Sequence, residues 1–298
     1  MGGTESHRAG FVALGGRTNV GKSTLLNRLV GHKVAIVTPR PQTTRRRILG
    51  IRSDPDAQAI FIDSPGLHRP RNALGERMID VARRALREGE VVLGVVEARS
   101  PLDDGDCAFL AELRELRVPR VVAINKLDLA DRGELIAAAE QCHRELPESE
   151  VVPVSALKGS NLGELLKVIK RMLPEGPALM PEDEYTDQTE RMIAAEVVRE
   201  KIFLAMRQEI PFSTGVTVAN FVEEPERRLL RISAGIIVAR ESHKGMLIGA
   251  GGSRLKEIGT AARLELERRL QARVFLELHV RVEKDWTRNP RKIAELGL

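Results

Sequence analysis

The stretch Gly16-Arg17-Thr18-Asn19-Val20-Gly21-Lys22-Ser23 decides how this chain is read. It follows a short apolar run, Phe11 to Leu14, and opens an amphipathic stretch, Lys22 to Val30. That strand-turn-helix setting is the one in which G-x-x-x-x-G-K-[ST] cradles phosphates. Gly16 and Gly21 allow backbone conformations that turn successive N–H groups inward, and the helix N-terminus behind them adds partial positive charge. Lys22 then reaches the β- and γ-phosphates as a point charge. The Ser23 hydroxyl, with Thr24 beside it, is placed to ligate a magnesium ion bridging those phosphates.

Outward from this loop, buried-strand runs recur at Ala59 to Ile62, Val91 to Val96, Arg120 to Ile124 and Val151 to Val154. Between and after them come helical patterns at Leu74 to Glu88, Asp106 to Arg117, Glu134 to Glu145 and Leu162 to Met172. The alternation predicts a doubly wound α/β domain with right-handed crossovers. An extra strand, Arg47 to Arg52, is expected antiparallel to Ala59–Asp63 at the sheet edge.

A phosphate loop alone does not choose a base. Asn125-Lys126-Leu127-Asp128 follows a buried strand at the carboxyl edge of the sheet, where open α/β folds bind ligands. Guanine offers N1–H and a 2-amino group side by side, and the Asp128 carboxylate can accept both. Adenine offers neither pair and would leave that carboxylate unpaired, a penalty worth about 10³-fold or more in discrimination. Asn125 ties this loop to the phosphate loop or touches the base, the Lys126 stem covers a base face, and Ser155-Ala156-Leu157 is placed to offer a backbone N–H to guanine O6.

Asp63-Ser64-Pro65-Gly66 ends another strand, so Asp63 reads as the acid that holds magnesium through water and the Gly66 N–H as a γ-phosphate sensor. Between the two loops lies Gln42-Thr43-Thr44-Arg45-Arg46-Arg47, from which one threonine, assigned as Thr44, should reach the metal. Segments 38–47 and 64–73 are expected to order with the triphosphate and loosen after hydrolysis. Catalysis falls to Lys22, Thr44, Gly66 and the metal. The position after Gly66, where many nucleotide hydrolases place a water-orienting glutamine, is Leu67, which cannot hydrogen-bond water. Turnover is therefore expected to be slow, and the water-positioning group is not identified by the sequence. Arg45 to Arg47 reads as a phosphate-binding patch, a solvated charge run or, less favoured, an arginine finger.

The chain has 298 residues, 42% apolar and 30% charged, with a net charge of +5 and a pI near 9.4, which tilts its partners toward polyanions. No apolar stretch approaches the roughly 18 residues of a membrane span, and the N-terminus has no signal-peptide pattern, so a cytoplasmic location is expected. Cys107 and Cys142 have no His or Cys neighbours with metal-ligand spacing. Pro174-Glu-Gly-Pro-Ala-Leu-Met-Pro181, followed by Glu182, Asp183 and Glu184, is written like a linker. Domains are accordingly expected at 1–173 and 187–298, with the linker over 174–186.

After the linker the pattern becomes α+β: a helix over Glu190 to Arg207, strands over Gly215 to Glu223 and Leu229 to Val238, a long helix over Ser253 to Leu270 and a strand over Arg273 to Val282. Two helical stretches meet through Ile248-Gly249-Ala250-Gly251-Gly252-Ser253-Arg254, flanked by Lys244 and Lys256. A K-homology RNA-binding domain clamps about four unpaired nucleotides with such a G-x-x-G loop. The apolar Val238, Ile248, Leu255 and Ile258 are expected to floor a groove for the bases, in place of an aromatic stacking platform.

Taken together, GRTNVGKSTLLN, QTTRRRILGI, DSPGLH, NKLD, VSAL, LIGAGGSRLKEIG and VEKDW, in this order over nearly the whole chain, closely resemble the Era family of bacterial GTPases. The resemblance implies a Ras-like domain binding GTP or GDP with Mg2+, then a type II K-homology domain that binds near the 3′ end of 16S ribosomal RNA during 30S subunit assembly. It also implies peripheral association with the inner membrane. In some related GTPases lacking the glutamine, an asparagine at the position of Asn19 helps hold a potassium ion, which puts K+ among the candidate cofactors. Thr18 and Ser64 stand where the family usually has proline and threonine, and neither removes a ligand. No feature points to DNA, and a monomer is expected. The missing glutamine leaves open an RNA-binding factor that stores GTP without turning it over.

Overall fold

A computed structural model describes residues 7–99, 101–207 and 209–298. The chain forms two units, one comprising the described residues through Arg69 together with Met78–Asp187, the other Gln188–Leu298 with the short stretch Pro70–Arg77. In the first, strands β1 (Arg8–Gly15), β2 (Ile48–Asp54), β3 (Ala57–Asp63), β4 (Val91–Glu97), β5 (Arg120–Asn125) and β6 (Glu150–Pro153) form a sheet in the order β2-β3-β1-β4-β5-β6. Only β2 runs antiparallel, paired with β3 from Ile48↔Asp63 to Asp54↔Ala57. Every residue of β3 is buried, as expected of a strand covered on both faces.

Helices α1 (Lys22–Val30) and α5 (Leu162–Met172) share one core with β1, β4 and β5 through Leu25, Leu26, Leu29, Leu165 and Ile169. Helices α2 (Ala73–Glu88), α3 (Asp104–Arg114) and α4 (Arg132–Glu145) cover the opposite face, where Leu86, Phe109, Leu113 and Ala138 meet Val92, Val96 and Ile124. Helix α3 begins two residues before the position expected from periodicity. The Asp103 side chain accepts the Gly105 N–H and caps it, a local bond that sets the first turn before any apolar residue does. Helix α4 opens on a capping box between Asp131 and Glu134.

Residues 174–187 lie along β2 and β3. The Gln58 side chain accepts from Leu179 N (2.8 Å) and Met180 N (2.9 Å) and donates to Met180 O (2.7 Å). Ile51 N donates to Tyr185 O at 2.9 Å, Thr186 Oγ1 to Leu49 O at 2.8 Å, and Leu49 N to Asp187 Oδ1 at 3.1 Å. Tyr185 stacks on His32, with ring centroids 4.6 Å apart.

In the second unit, α6 (Glu190–Ala205) precedes β7 (Thr214–Glu224) and β8 (Leu229–Val238), then α7 (Glu241–Ile248), α8 (Ser253–Leu270) and β9 (Arg273–Val282). Strands β7 and β8 pair antiparallel, β8 and β9 parallel. Val197, Val198, Ile202, Ala262 and Leu266 of α6 and α8 pack on the face formed by Ile232, Ala234 and Ile236. The C-terminal stretch is folded. Trp286 is fully buried with its Nε1–H donated to Ser213 O at 2.9 Å, and α9 (Pro290–Glu295) is capped by Asn289.

Candidate guanine-nucleotide site and RNA loop

The carboxyl ends of β1, β3 and β5 and the N-terminus of α1 bring the nucleotide motifs to one edge of the sheet. Gly21 adopts φ 99°, and a Cβ there would lie 2.2 Å from the Asn125 amide nitrogen, so this position excludes any side chain. Asn19 is also left-handed at φ 70° and donates its side-chain amide to Pro39 O at 3.1 Å. Between the loop and segment 36–44 lies a cleft of about 360 Å3, lined by Thr18, Lys22, Ser23, Thr38 and Gly66 among others.

Lys22 is buried and donates to Gly16 O (3.0 Å) and Arg17 O (2.7 Å). Burial pulls its ammonium down to about 8, against the upward pull of Asp63 and Asp106. Ser23 Oγ stands 2.7 Å from Asp63 Oδ2 and 2.8 Å from Thr44 Oγ1, and Thr44 Oγ1 is 3.3 Å from the same carboxylate oxygen. The three residues read from sequence as metal ligands therefore meet at one point. Thr43 turns instead to Thr38 Oγ1 (2.7 Å) and Arg40 O (2.9 Å). Asp63 Oδ1 is buried without a hydrogen-bond partner, and burial pushes its carboxyl up despite Lys22, Ser23 and Thr44. A stranded carboxylate oxygen beside two hydroxyls fits Mg2+, a hard cation that takes few protein oxygens and keeps its own waters.

Asn125 is a strut between loops. Its Nδ2 donates to Val20 O at 2.8 Å, and its Oδ1 accepts from Ala156 N at 2.9 Å. A guanine O6 reaching for the Ala156 amide would compete with Asn125. Asp128 is exposed and accepts a short hydrogen bond from Ser155 Oγ, while Lys126, left-handed at φ 68°, pairs with Glu97 at 3.1 Å. Arg28 of α1 holds the same region by donating to Ala156 O (3.2 Å) and Leu157 O (2.8 Å).

Gly66 sits against the phosphate loop so closely that a Cβ would fall 2.6 Å from Thr18 N and Cα, and Leu67 N donates to Gly16 O at 3.1 Å. Ser64 and Pro65 are buried in the same turn. The Leu67 side chain is partly buried and packs against the core on the α3 side of the sheet. Arg17 also turns away from the cleft and pairs with Asp103 (2.7 Å) and Asp106 (3.4 Å).

In the second unit, Gly249 (φ 74°), Gly251 (φ 58°) and Gly252 (φ 80°) carry the chain from α7 into α8 through a left-handed turn. A Cβ at Gly251 or Gly252 meets nothing within 4 Å, so these glycines serve backbone conformation and an open approach. Ala250, Ser253, Arg254 and Lys256 are exposed, and Lys244 and Ile248 are partly so.

Residues 11–126 match the model of a "50S ribosome-binding GTPase" family, and residues 209–287 match a KH domain. The GTPase Era of Geobacter metallireducens is 44% identical over 97% of both chains, and that of Syntrophus aciditrophicus is 44% identical over 97% of this chain and 95% of its own. A crystal structure of Era with MgGDPNP and nucleotides 1506–1542 of 16S ribosomal RNA superposes with a TM-score of 0.94 at 42% identity, covering 98% of this chain and 99% of that one. A variant of Aquifex aeolicus Era bound to GDP and AlF4− gives 0.91 at 42% identity, covering 97% and 99%. The chain belongs to the Era family of GTPases. The Ras-like first unit and the KH second unit are the expected architecture of an Era protein.

Two expectations are corrected. Arg45 is 3% exposed and engaged within the fold, so the basic run before β2 is not a solvated face. Arg47 likewise pairs with Glu88 at 2.9 Å. Val238 and Ile258 are 0% and 1% exposed and belong to the core; Ile248 and Leu255, half-buried, flank the glycine loop. Arg28, Glu97 and Asp106 went unread because each reaches its partner only through the tertiary fold, and a single charged residue carries no local signal of that; the cap that Asp103 makes is local, but its pairing with Arg17 is not.

Proposed function

We propose that this Era-family GTPase is a nucleotide-gated RNA-binding factor acting on the 3′ region of 16S ribosomal RNA in assembly of the 30S subunit. The observation that carries this is one chain joining a guanine-nucleotide cleft to a left-handed glycine loop flanked by Lys244, Arg254 and Lys256. Its relative's complex with MgGDPNP and nucleotides 1506–1542 supports the same pairing of ligands. Ser23 and Thr44 would hold Mg2+ directly and Asp63 through water, supplying charge to the β- and γ-phosphates. Asp128 would read guanine N1–H and the 2-amino group. Domain limits of 1–173 and 187–298 with a joining segment at 174–186 belong to this proposal.

GTP would draw Thr44 and the Gly66 N–H onto metal and γ-phosphate, and hydrolysis would release them. We place the protein in the cytoplasm; no described helix is long and apolar enough to cross a membrane. Peripheral membrane contact and K+ dependence through Asn19 are part of the same proposal, tested by liposome flotation and by exchanging K+ for Na+ in the hydrolysis assay. The central experiment changes Gly251 and Gly252 to Asp and titrates an RNA of the 16S 3′ end. RNA binding should be lost with GTP hydrolysis intact, and the affinity of the unaltered protein should fall steeply with salt. An unchanged RNA affinity would overturn the loop assignment.

A further inference from the structure

Arg17 is the first variable residue of the phosphate loop, yet it does not line the nucleotide cleft. Its guanidinium crosses to the first turn of α3, where Nη1 lies 2.7 Å from Asp103 Oδ1 and 3.4 Å from Asp106 Oδ2. The Arg17 backbone meanwhile holds two pieces of the hydrolytic apparatus. Its carbonyl accepts from Lys22 Nζ at 2.7 Å, and it forms a bridge with Leu67, directly beside the Gly66 sensor turn. A Cβ on Gly66 would stand 2.8 Å from the Arg17 carbonyl carbon. Where the Arg17 side chain is anchored thus bears on where Lys22 and Gly66 sit.

Asp106 is an expensive anchor. Its side chain is 0% exposed, and Oδ1 has no hydrogen-bond partner. Burial pushes its carboxyl up although Arg17 pulls it down. Stability alone does not account for it. Asp103 already caps the helix through Gly105 N at 2.9 Å and makes the shorter contact to Arg17. A buried acid left half-satisfied is ordinarily a net cost to the fold. Gly105 completes the arrangement, because a Cβ there would lie 2.7 Å from Arg17 Nε and 2.8 Å from Arg17 Cδ. The first turn of α3 is bare just where the arginine crosses it.

We infer that Asp106 is a positioning residue for GTP hydrolysis, which holds the Arg17 side chain from α3 and thereby sets the Arg17 carbonyl that places Lys22 and the turn at Gly66. The inference rests on the assignment of Gly16–Ser23 as the phosphate loop, and GTP turnover by the unaltered chain checks that assignment separately. Two variants disturb the anchor from different sides. Asp106→Asn removes the charge; Gly105→Ala leaves every charge in place and displaces the arginine, while alanine in a helical turn is at least as stable as glycine. Both should lower kcat for GTP by about 10- to 100-fold, the usual cost of a misplaced catalytic group, with KM within about threefold. The melting temperature of Gly105→Ala should not fall, which separates positioning from structural damage. Arg17→Met should show the same loss, and Arg17→Met/Asp106→Asn should be no slower than Arg17→Met alone, since Asp106 acts through Arg17. If Gly105→Ala turns over GTP within about twofold of the unaltered protein, or if the double variant loses the full product of the two single effects, the inference is overturned. Should Asp106→Asn fail to fold, the Gly105→Ala result decides alone.

Discussion

Removing the strut at Asn125 should uncouple the two halves of the nucleotide site. Asn125 is 3% exposed, and Asn125→Ala strands the Val20 carbonyl, formerly 2.8 Å from Nδ2, and the Ala156 amide, formerly 2.9 Å from Oδ1. At about 1–3 kcal/mol for each buried polar group left without a partner, the total is about 2–6 kcal/mol. Part of it lowers the stability of the first unit and part falls on the ligand, because Val20 lies in the proposed phosphate loop and Ala156 in the loop proposed to face the base. If about half of it, about 1–3 kcal/mol, falls on the ligand, then at about 1.4 kcal/mol per tenfold a loss of about 5- to 140-fold in affinity is expected. The loss should be similar for GDP and GTP, since neither Val20 nor Ala156 is among the groups assigned to the γ-phosphate. Titration with fluorescent GDP and GTP analogues at saturating Mg2+, beside urea unfolding, measures both shares. A variant that binds both nucleotides within about threefold of the unaltered protein, or one that loses GTP alone, would refute the strut.

At Asp128, the acid proposed to read guanine N1–H and the 2-amino group, substitution by Asn replaces one of the two acceptors with a donor, and competition binding should show GTP weakened by about 100-fold or more, with a gain for xanthosine nucleotides, whose O2 can accept from the new amide. Acid and alkaline stability should both respond at Lys170, which lies 3.1 Å from Asp54 and 2.6 Å from Asp56. Partial burial pushes Asp54 up, but its bonds to Arg52 and Lys170 hold it below the usual 3.8, so it stabilises the fold above that value and the contribution is lost as pH falls through the lowered one. Lys170 itself, opposed by burial but raised above 10.5 by Asp56 and Asp54, stabilises below 10.5 and loses its contribution as pH rises past the raised value. Lys170→Met should flatten the profile of urea midpoints at both ends, and a profile parallel to that of the unaltered chain would count against the triad. In the second unit, Trp286→Phe leaves the Ser213 carbonyl unbonded and should cost about 1–3 kcal/mol by circular dichroism; an unmoved midpoint would mean that the bond contributes nothing.

The sheet was readable because its strands centre on apolar runs, and α1, α5, α8, β8 and β9 begin and end at the residues that periodicity indicates. The meeting of Ser23, Thr44 and Asp63 was readable because each was assigned to one expected ion from its place in the order of motifs. What escaped the sequence is of one kind: groups whose partners are distant. Arg45 sits in a run of three arginines and is buried all the same, which only tertiary packing decides. Asp106 looks like an ordinary acid in the first turn of a helix, where solvated acids are common, until the fold brings Arg17 across to it. Prolines and acids at 174–184 are the composition of a tether, and nothing local says that Gln58 of β3 will take up Leu179 and Met180. The C-terminal tryptophan likewise gave no sign that it would close on Ser213.

Strand β2 is the outermost of its sheet, and a bare outer strand is a template on which another copy can add by main-chain pairing. Here that vacancy is filled from within: Tyr185, Thr186 and Asp187 answer Ile51 and Leu49 with the bonds a foreign strand would otherwise offer. Cutting the chain after Leu173 to isolate the first unit would peel this cover away and leave a self-adhesive rim beside the segment that carries Thr44. A short form meant to stay dispersed in solution should therefore end no earlier than Asp187.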